Sequence, residues 1–216
     1  MIKILIVDDH AIVRKGMREI VGDTSDITIT GEASNWQEAL SKVFTESFDV
    51  VILDIAMPDK SGLDILEQII EEKPGLPVLM LSMYPEEQYA IRALKKGACG
   101  YLTKKSVPDE LIHAVRKVYE GGKYISPSLA EKLADHLHTG DDKKIPHEDL
   151  TDREFQIMRM IAEGKRIKDI AAKLFLSDKT ISTYRSRILS KMRMKNNAEL
   201  TIYAFQHSLI SQQTPT

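Results

Sequence analysis

The chain has 216 residues, of which 43% are hydrophobic and 29% are charged, as in an ordinary globular protein. This length suits two domains of roughly 100–150 residues each. The single cysteine, Cys99, excludes an intrachain disulfide and a cysteine-built zinc site. No apolar run approaches the roughly 20 residues that cross a bilayer, and Asp8 and Asp9 interrupt the N-terminal run, so we expect a cytoplasmic protein.

The net charge of −2 is distributed unevenly along the chain. Residues 1–121 contain 14 Lys and Arg and 20 Asp and Glu, a net charge of −6. Residues 151–216 contain 12 and 6, a net charge of +6. Because a polyanion is attracted only to the basic part, nucleic acid is a plausible partner for the C-terminal part alone.

The first apolar run, residues 4–7, is continuous and ends on Asp8 and Asp9. Continuous aliphatic runs are typical of strands that are buried on both faces of a parallel sheet. Helical spacing over residues 11–21 predicts a helix with Ile12 on its apolar face. Alternation over residues 27–30 then predicts an edge strand with one wetter face.

A second apolar run covers residues 50–53 and ends on Asp54 before a turn. The predicted helix before it follows Asn35 and places Phe44 on its apolar side. Ligands bind at the carboxyl ends of the strands in open parallel sheets, so Asp54 is a candidate site residue. The alternative is that Asp54 only caps its strand and begins the turn.

The same alternation continues to about residue 121. A helix is predicted at residues 63–73, a strand at 78–81 that ends on Ser82, a helix at 85–96, a short strand at 100–104 and a helix at 107–120. Strand and helix thus alternate five times. This pattern predicts a doubly wound α/β domain with a five-stranded parallel sheet and right-handed crossovers.

In such a sheet the strand ends bring a set of polar side chains to one edge: Asp8, Asp9, Asp54, Ser82 and Lys104. Clustered carboxylates repel one another unless a cation joins them, and oxygen ligands of this kind suit Mg²⁺. Carboxylates, a hydroxyl group, an ammonium group and a divalent ion together form a cradle for a phosphoryl group. Asp54 is then the expected nucleophile.

These residues, with Met57-Pro58 after the acceptor and Tyr101 on the last strand, resemble the receiver domain of bacterial two-component response regulators over about residues 1–121. The resemblance implies a flavodoxin-like sheet with strand order 2-1-3-4-5. It implies Asp54 as phosphoacceptor, Lys104 as phosphate partner, and Ser82 and Tyr101 as a switch pair. It also implies a magnesium site made by Asp8, Asp9, Asp54 and the backbone carbonyl of Ala56.

The chain departs from the receiver pattern at two positions. Ser82 stands where threonine is frequent, but it keeps the hydroxyl group. Lys105 follows Lys104 where many receivers have proline, and a cis peptide bond without proline costs roughly 3–4 kcal/mol. The conformation of this peptide bond is therefore open.

Residues 122–149 are predicted to form a linker with a short helix at residues 129–138. The stretch that follows this helix is polar and charged with few apolar residues. The histidines at positions 136, 138 and 147 lack the carboxylate or cysteine spacing of a metal site, so we interpret them as solvated linker residues.

The C-terminal part, residues 150–216, is predicted to be a small all-α helix-turn-helix domain. Thr151 followed by Glu154 forms a capping box before one helix, and Ser177 caps another that runs to about residue 192. The buried side of that helix carries Ile181, Ile188 and Met192. Its outer side is polar and basic, as a helix in the DNA major groove requires. The residues expected to contact DNA are Lys179, Thr180, Ser182, Thr183, Ser186 and Arg187.

The sequence words of this part resemble the LuxR-type output domain over about residues 150–210: Leu150-Thr151-x-Arg153-Glu154, Ile161-Ala162-Glu163-Gly164, Ser177-x-Lys179-Thr180-Ile181 and Ala198-Glu199-Leu200. Joined to a receiver, this module is characteristic of the NarL/FixJ subfamily. The resemblance implies double-stranded DNA with paired half-sites as partner. It also implies a last helix over residues 201–208 that packs on its counterpart in a homodimer, with Thr201, Tyr203 and Ala204 on that helix.

We therefore expect a transcription regulator, not an enzyme, whose DNA binding is controlled by phosphorylation of Asp54 by a sensor histidine kinase. One alternative is a DNA-binding regulator that acts independently of phosphorylation. Another is an aspartyl-phosphate phosphatase of the haloacid dehalogenase type. Those phosphatases have a second Asp two residues after the nucleophile, whereas this chain has Ala56 there.

Overall fold

The computed structural model describes residues 1–57, 60–127, 129–131, 146–207 and 209–210. The chain forms two compact units, Met1–Ala134 and Asp135–Thr216. The predicted domain boundaries at residues 121 and 150 stay predictions. Within the described residues, no helix is both long and apolar enough to cross a bilayer.

The first unit is built on a parallel sheet of five strands in the order β2-β1-β3-β4-β5, which confirms the predicted topology. The strands are β1 (Ile2–Val7), β2 (Ile27–Ala33), β3 (Val50–Asp54), β4 (Val78–Ser82) and β5 (Gly100–Thr103). Every residue of β3 and β4 is buried. Helices cover both faces of the sheet, which explains why the sequences of these two strands are continuously apolar.

Five helices alternate with these strands: α1 (Ala11–Gly22), α2 (Trp36–Thr45), α3 (Gly62–Glu72), α4 (Glu86–Lys95) and α5 (Val107–Tyr119). Periodicity located the helices better than it located their buried faces. Ile12 is 75% exposed and Phe44 is 46% exposed, so both predicted core positions are wrong. Each lies in the terminal turn of its helix, Ile12 as the second residue of α1 and Phe44 as the last but one of α2.

The first unit continues beyond Gly121. The Tyr124 N–H donates to the Cys99 carbonyl at 2.8 Å, and Tyr124 is paired with Gly100 beside β5. The side chain of Tyr124 is only 8% exposed. Most of the helix predicted at residues 129–138 lies outside the described residues, as do His136 and His138.

The second unit contains a 3-10 turn at Pro146–Asp149 and four helices: α6 (Asp152–Ala162), α7 (Ile167–Lys173), α8 (Asp178–Lys191) and α9 (Asn197–Gln206). The predicted capping box is present, because Thr151 Oγ1 accepts from the Glu154 N–H and Glu154 accepts from the Thr151 N–H. Ser177 caps α8 in the same way, with its hydroxyl oxygen accepting from the Thr180 N–H. Helices α7 and α8 flank the predicted short turn.

Candidate functional site

The carboxyl edge of the sheet carries the acidic cluster that the sequence predicts. Asp54 is the last residue of β3, and Asp8 directly follows β1. Because Val7 pairs with Leu53 in the parallel ladder, the next residue along each strand is an aspartate. Both aspartates are 0% exposed. The register of two neighbouring strands therefore fixes the distance between these carboxylates.

Lys104, which directly follows the edge strand β5, contacts both aspartates. Its ammonium nitrogen lies 2.8 Å from Asp54 Oδ2 and 2.6 Å from Asp8 Oδ2, and its side chain is 6% exposed. The backbone N–H of Lys104 donates to the Ser82 carbonyl at 2.7 Å, which holds the start of this loop against β4. Burial by itself would lower the pKa of Lys104, but the two carboxylates outweigh burial and the pKa is raised. Lys104 therefore stays charged.

Asp54 is held at both of its carboxylate oxygens. Oδ2 accepts from Lys104, and Oδ1 accepts from the Ala56 N–H at 3.1 Å. Burial raises the pKa of Asp54, the charge of Lys104 opposes this effect, and the charge of Asp8 adds to it. The result is a carboxylate that is more basic than an exposed one and is fixed in orientation. Both properties suit a nucleophile.

The acidic cluster also has the composition of a cation site. Asp8, Asp9, His10 and Asp54 each place one potential ligand atom within 4.8 Å of the others. Asp8 Oδ2 and Asp9 Oδ1 are buried oxygens: the first contacts Lys104 Nζ at 2.6 Å, the second contacts His10 Nδ1 at 2.7 Å, and neither accepts a further hydrogen bond in the described part of the chain. Carboxylate oxygens with spare acceptor capacity are the ligands that Mg²⁺ prefers. The pocket formed by these three aspartates is consistent with a Mg²⁺ site.

Ser82 and Tyr101 both form hydrogen bonds to the backbone of one residue, Tyr84. Ser82 Oγ accepts from the Tyr84 N–H at 3.0 Å, and Tyr101 Oη donates to the Tyr84 carbonyl at 3.0 Å. Both side chains are 0% exposed. The two predicted switch residues thus hold the same backbone segment between β4 and α4, and the Tyr101 ring already lies inside the unit.

Two further residues support the site, and the sequence reasoning missed both. His10 Nδ1 lies 2.7 Å from Asp9 Oδ1, and the His10 N–H donates to Asp8 Oδ1 at 2.8 Å. Arg14 Nη1 donates to the Asp8 carbonyl at 2.6 Å, and Arg14 Nε donates to Glu32 Oε2 at 3.1 Å. The position of His10 directly after two acids was an available signal. Arg14 gave none, because its contact depends on how α1 leaves the sheet.

The peptide bond between Lys104 and Lys105 is trans, since the described ranges contain no cis peptide bond. Without proline, the trans form is the one that backbone energetics favours. The ammonium group of Lys104 reaches both aspartates from this trans backbone.

The outer face of α8 agrees with the helical projection of the sequence. Ile181, Ile188 and Met192 are at most 3% exposed. The exposed residues are Lys179, Ser182, Thr183, Ser186 and Arg187, whereas Thr180 is half-buried. Each of the three exposed hydroxyl groups donates to the carbonyl four residues earlier: Ser182 to Asp178, Thr183 to Lys179 and Ser186 to Ser182. Their oxygens remain available as acceptors at the surface.

Helix α9 begins earlier than predicted, at Asn197, because Asn196 caps it by accepting from the Glu199 N–H. Tyr203 shares a hydrogen bond of 2.8 Å with His147 Nδ1. Ala204 is 0% exposed, so its side chain packs inside the unit and does not lie on the helix surface. The large apolar side chains that α9 does expose are Ile202, at 58%, and Phe205, at 49%.

Comparison with known proteins extends over both units. Residues 4–116 match the family model of the response regulator receiver domain, and residues 148–204 match that of the bacterial regulatory proteins, luxR family. The chain is similar to the response regulator UvrY of Escherichia coli (strain K12), with 36% identity over 99% of this chain and 98% of that one. It is also similar to the oxygen regulatory protein NreC of Staphylococcus carnosus, with 38% identity over 96% of this chain and 99% of that one. Among solved structures it is similar to the RcsB response regulator of Salmonella typhimurium, with 25% identity, a TM-score of 0.58, and coverage of 95% of this chain and 98% of that one.

Proposed function

The chain belongs to the two-component response regulators of the NarL/FixJ type, which join a receiver domain to a LuxR-type output domain, and from this premise we propose that phosphorylation of Asp54 controls its binding to DNA. A receiver domain is not a conventional enzyme, which favours the regulator over the phosphatase alternative. The observation that carries the proposal is the contact of Lys104 Nζ with both Asp54 and Asp8, at 2.8 and 2.6 Å.

The reaction at Asp54 is a phosphoryl transfer. A sensor histidine kinase is the proposed donor: a carboxylate oxygen of Asp54 forms a bond to phosphorus while the bond between phosphorus and the kinase histidine nitrogen breaks. The Asp54 carboxyl group is oriented for this attack by Lys104 and by the Ala56 N–H. Catalysis of this kind depends mainly on positioning and electrostatic stabilisation. Lys104 is the cation best placed to pair with the phosphoryl group once it is bound.

The proposed cofactor is Mg²⁺, held by Asp8, Asp9, Asp54 and the backbone carbonyl of Ala56. When bound, the ion would neutralise part of the negative charge of the phosphoryl group. The spare acceptor capacity of the buried oxygens Asp8 Oδ2 and Asp9 Oδ1 supports this assignment. Replacing Asp9, the most exposed of the three acids, should weaken Mg²⁺ binding without unfolding the unit.

Ser82 and Tyr101 are the proposed switch pair. A phosphoryl oxygen on Asp54 can accept a hydrogen bond from the Ser82 hydroxyl group, which lies at the end of the strand beside β3, and turning this hydroxyl toward the phosphoryl group would weaken the bond that its oxygen accepts from the Tyr84 N–H. A change at Ser82 therefore reaches the backbone of Tyr84, whose carbonyl group accepts from Tyr101. The expected consequence is a small shift in the surface around α4 and β5, which biases an equilibrium between two states.

The proposed DNA contacts lie on α8. Lys179 and Arg187 are exposed cations suited to phosphates, whereas Ser182, Thr183 and Ser186 carry short hydroxyl groups suited to base edges. Since these hydroxyl groups donate within the helix, they are expected to accept hydrogen bonds from the amino groups of adenine or cytosine. Thr180 contributes less, because its hydroxyl group lies 2.8 Å from Ser177 Oγ.

We further propose that the chain acts in the cytoplasm as a homodimer on paired half-sites, with a linker between the two domains that begins after Tyr124 and not at residue 122, because Tyr124 is bonded to the first unit. The proposed contact surface is α9, including Thr201 and Tyr203. Ile202 and Phe205 take the place of Ala204 in that surface, because they are exposed and Ala204 is not. Exposed apolar side chains on one helix are typical of a helix that packs on a partner.

An operator-selection experiment tests the proposal. Full-length protein is incubated with a random duplex library and Mg²⁺, with and without beryllofluoride, an analogue of the phosphoryl group. We expect the analogue to increase enrichment of sequences with two half-sites for the wild type but not for Asp54→Asn. Equal enrichment with and without the analogue in the wild type would favour the regulator that acts independently of phosphorylation. An absence of any enriched sequence would contradict the DNA-binding proposal.

A further inference from the structure

Two helices of the second unit end in an unusual way. A residue with positive φ follows the C-terminus of several helices, and the next N–H bonds back to the last turn, as in Leu176 N to Ala171 O at 2.9 Å. Among the described residues, those with positive φ are Gly97, Gly121, Gly164, Phe175 and Arg193. Glycine is the residue that adopts this conformation without strain. The two exceptions are Phe175, three residues before α8, and Arg193, two residues after it.

Phe175 is unfavourable for the fold in two independent respects. Its φ is 54°, a conformation that is rare for a bulky side chain. Its side chain is also 71% exposed, so the ring contributes little to the core. Glycine at this position would relieve the backbone and remove an exposed apolar surface. Folding by itself therefore gives no reason for a phenylalanine here, whereas a contact outside the chain would give one.

The backbone beneath Phe175 is braced. Arg153 Nη2 donates to the Leu174 carbonyl at 3.1 Å, and Arg153 Nη1 donates to Gln156 Oε1 at 2.8 Å. The turn is thereby tied to α6, which belongs to the core of the unit. Two residues after Phe175, Ser177 caps α8. The ring is thus presented from a fixed position beside the N-terminus of the helix that carries the DNA-contacting residues.

The surroundings of Phe175 match DNA better than an apolar protein surface. Exposed Lys173 and Lys179 lie on either side of it in the chain, with exposed Asp178 before Lys179, and the N-terminus of α8 adds a partial positive charge. A polyanion that also offers apolar groups satisfies both features. Duplex DNA does so through thymine methyl groups and deoxyribose carbons, and apolar side chains contact thymine methyl groups in the major groove.

We propose that Phe175 makes an apolar contact with operator DNA at the edge of the groove that α8 enters. This inference rests on the proposed function, and it adds a residue that neither the polar face of α8 nor its sequence pattern indicates. The contact either gives the protein a preference for particular bases or adds affinity through van der Waals contact with the adjacent deoxyribose.

Three variants of the full-length protein separate the ring from the backbone strain. Phe175→Gly removes both, Phe175→Ala removes the ring and keeps the strain, and Phe175→Trp keeps both. We expect Gly and Ala to weaken operator binding about tenfold, as the loss of one apolar contact implies, and Trp to retain most of the affinity. In calorimetry, only Phe175→Gly should raise the unfolding temperature of the second unit. Gly164→Ala is the calibrating variant, because its added Cβ meets no atom within 4 Å at a φ of +79°.

Replacing each operator thymine with deoxyuridine, one at a time, identifies the group on the DNA. Loss of affinity at one position in the wild type, but not in Phe175→Gly, assigns the contact to that methyl group. Equal affinity at every position, with Phe175→Gly still weaker, assigns it to deoxyribose. Unchanged operator affinity of the Gly and Ala variants would overturn the inference. This holds even if the variants reduce transcription in a reconstituted assay, since that result would mean that the ring contacts a protein and not DNA. Failure of the wild type to bind any selected duplex would instead overturn the proposed function.

Discussion

The two polar sites of this protein differ in how their atoms are satisfied. At the carboxyl edge of the sheet, Asp8, Asp54 and Lys104 are buried and hold one another in place. On α8, the polar side chains are exposed, and their hydroxyl groups are bonded only within the helix. The first site is organised before any ligand arrives, whereas the second is a surface whose polar groups are paired only on their inner side.

The difference shows that a chemical site and a recognition site depend on different structural constraints. Phosphoryl transfer requires fixed positions, because a displacement of about 1 Å can slow a reaction about 100-fold. A DNA-reading helix requires a correct outward face, and the duplex itself completes the geometry. A single substitution in the first site should therefore abolish most of the phosphorylation, whereas a single substitution on α8 should reduce DNA binding only in part.

The largest effect is expected at Asp54. Asp54→Asn should abolish labelling by acetyl phosphate with Mg²⁺, since the amide is not a nucleophile and weakens the pairing with Lys104. The matched control is Asp49→Asn, just before the opposite end of β3, where the carboxylate accepts from the Lys3 N–H. Autoradiography of the two variants beside the wild type gives the answer. Labelling of Asp54→Asn at the wild-type level would remove Asp54 from the site.

A large effect is also expected at Gly62, where packing and not charge fixes the site. A Cβ on Gly62 would lie 2.0 Å from the Asp54 carbonyl oxygen and 2.8 Å from Ile55 Cα, and both are backbone atoms that cannot move aside freely. Gly62→Ala should lower the free energy of unfolding by about 1–3 kcal/mol and reduce labelling of Asp54. Urea denaturation followed by the fluorescence of Trp36, the single tryptophan, measures the first effect.

Gly16→Ala is the control for this comparison of glycines. Gly16 lies inside α1, and an added Cβ meets no atom within 4 Å. The substitution should raise the free energy of unfolding by about 0.5–1 kcal/mol, because alanine is the better helix residue. If both variants were equally stable, close packing of Gly62 against β3 would not be what positions Asp54.

The acidic site was predictable because parallel strands bring their carboxyl ends to one edge. Asp8, Asp54, Ser82 and Lys104 follow successive apolar runs, so their convergence depends only on topology, which the alternation of strands and helices indicates. The contacts of Arg14 were not predictable in this way. They depend on the angle between α1 and the sheet, which side-chain periodicity does not determine.

Prediction for the second unit stopped at the level of helix faces. The 100° projection placed Ile181 inside and Lys179 outside, because burial is periodic along a helix. It gave no signal for Phe175, whose position in the turn depends on backbone conformation. The family resemblance placed Ala204 on the dimer helix but did not indicate that its side chain is buried. A resemblance identifies a helix and not the direction in which each of its side chains points.

An intermediate effect is expected at the ion pair of Glu154 with Lys191. Like the carboxylate site of the first unit, this pair joins a buried carboxylate to a lysine. The Glu154 carboxylate lies 2.6 Å from Lys191 Nζ and its side chain is 5% exposed. Burial by itself raises the pKa of Glu154, but the hydrogen bonds from Lys191 and the Thr151 N–H outweigh burial, and the pKa is lowered from its ordinary 4.5. Because the folded-state pKa is the lower one, the stabilisation is complete above about pH 4.5 and is lost as the pH falls through the folded-state value.

Glu154→Gln should therefore lower the free energy of unfolding of the second unit at neutral pH by about 1.5–3 kcal/mol and lose part of its dependence on acid. The control is Glu199→Gln. Glu199 accepts from the Lys195 N–H at 2.8 Å in a similar cap but has no lysine ion pair among the described contacts, so its effect should be smaller. Calorimetry of the full-length protein between pH 3 and 7, roughly the range in which carboxylates titrate, measures both. Equal losses for the two variants would show that only the cap matters.

The smallest effects are expected on α8, and their pattern matters more than their size. Lys179 and Arg187 are exposed cations, so their alanine variants should weaken binding to all duplexes alike and reduce the slope of log K against log salt by about 0.9 for each lost phosphate contact. Ser182→Ala and Thr183→Ala should leave that slope unchanged but alter which bases are tolerated, because a hydroxyl group carries little charge. Fluorescence anisotropy with the selected operator and its single-base variants, at several salt concentrations, separates the two patterns. A salt slope that falls in the serine and threonine variants, or a base preference that changes only in the lysine and arginine variants, would reverse these roles. Gradual effects of this kind are what a surface completed by its partner predicts, whereas an all-or-none loss from one hydroxyl group would mean that α8 is as tightly organised as the carboxylate site.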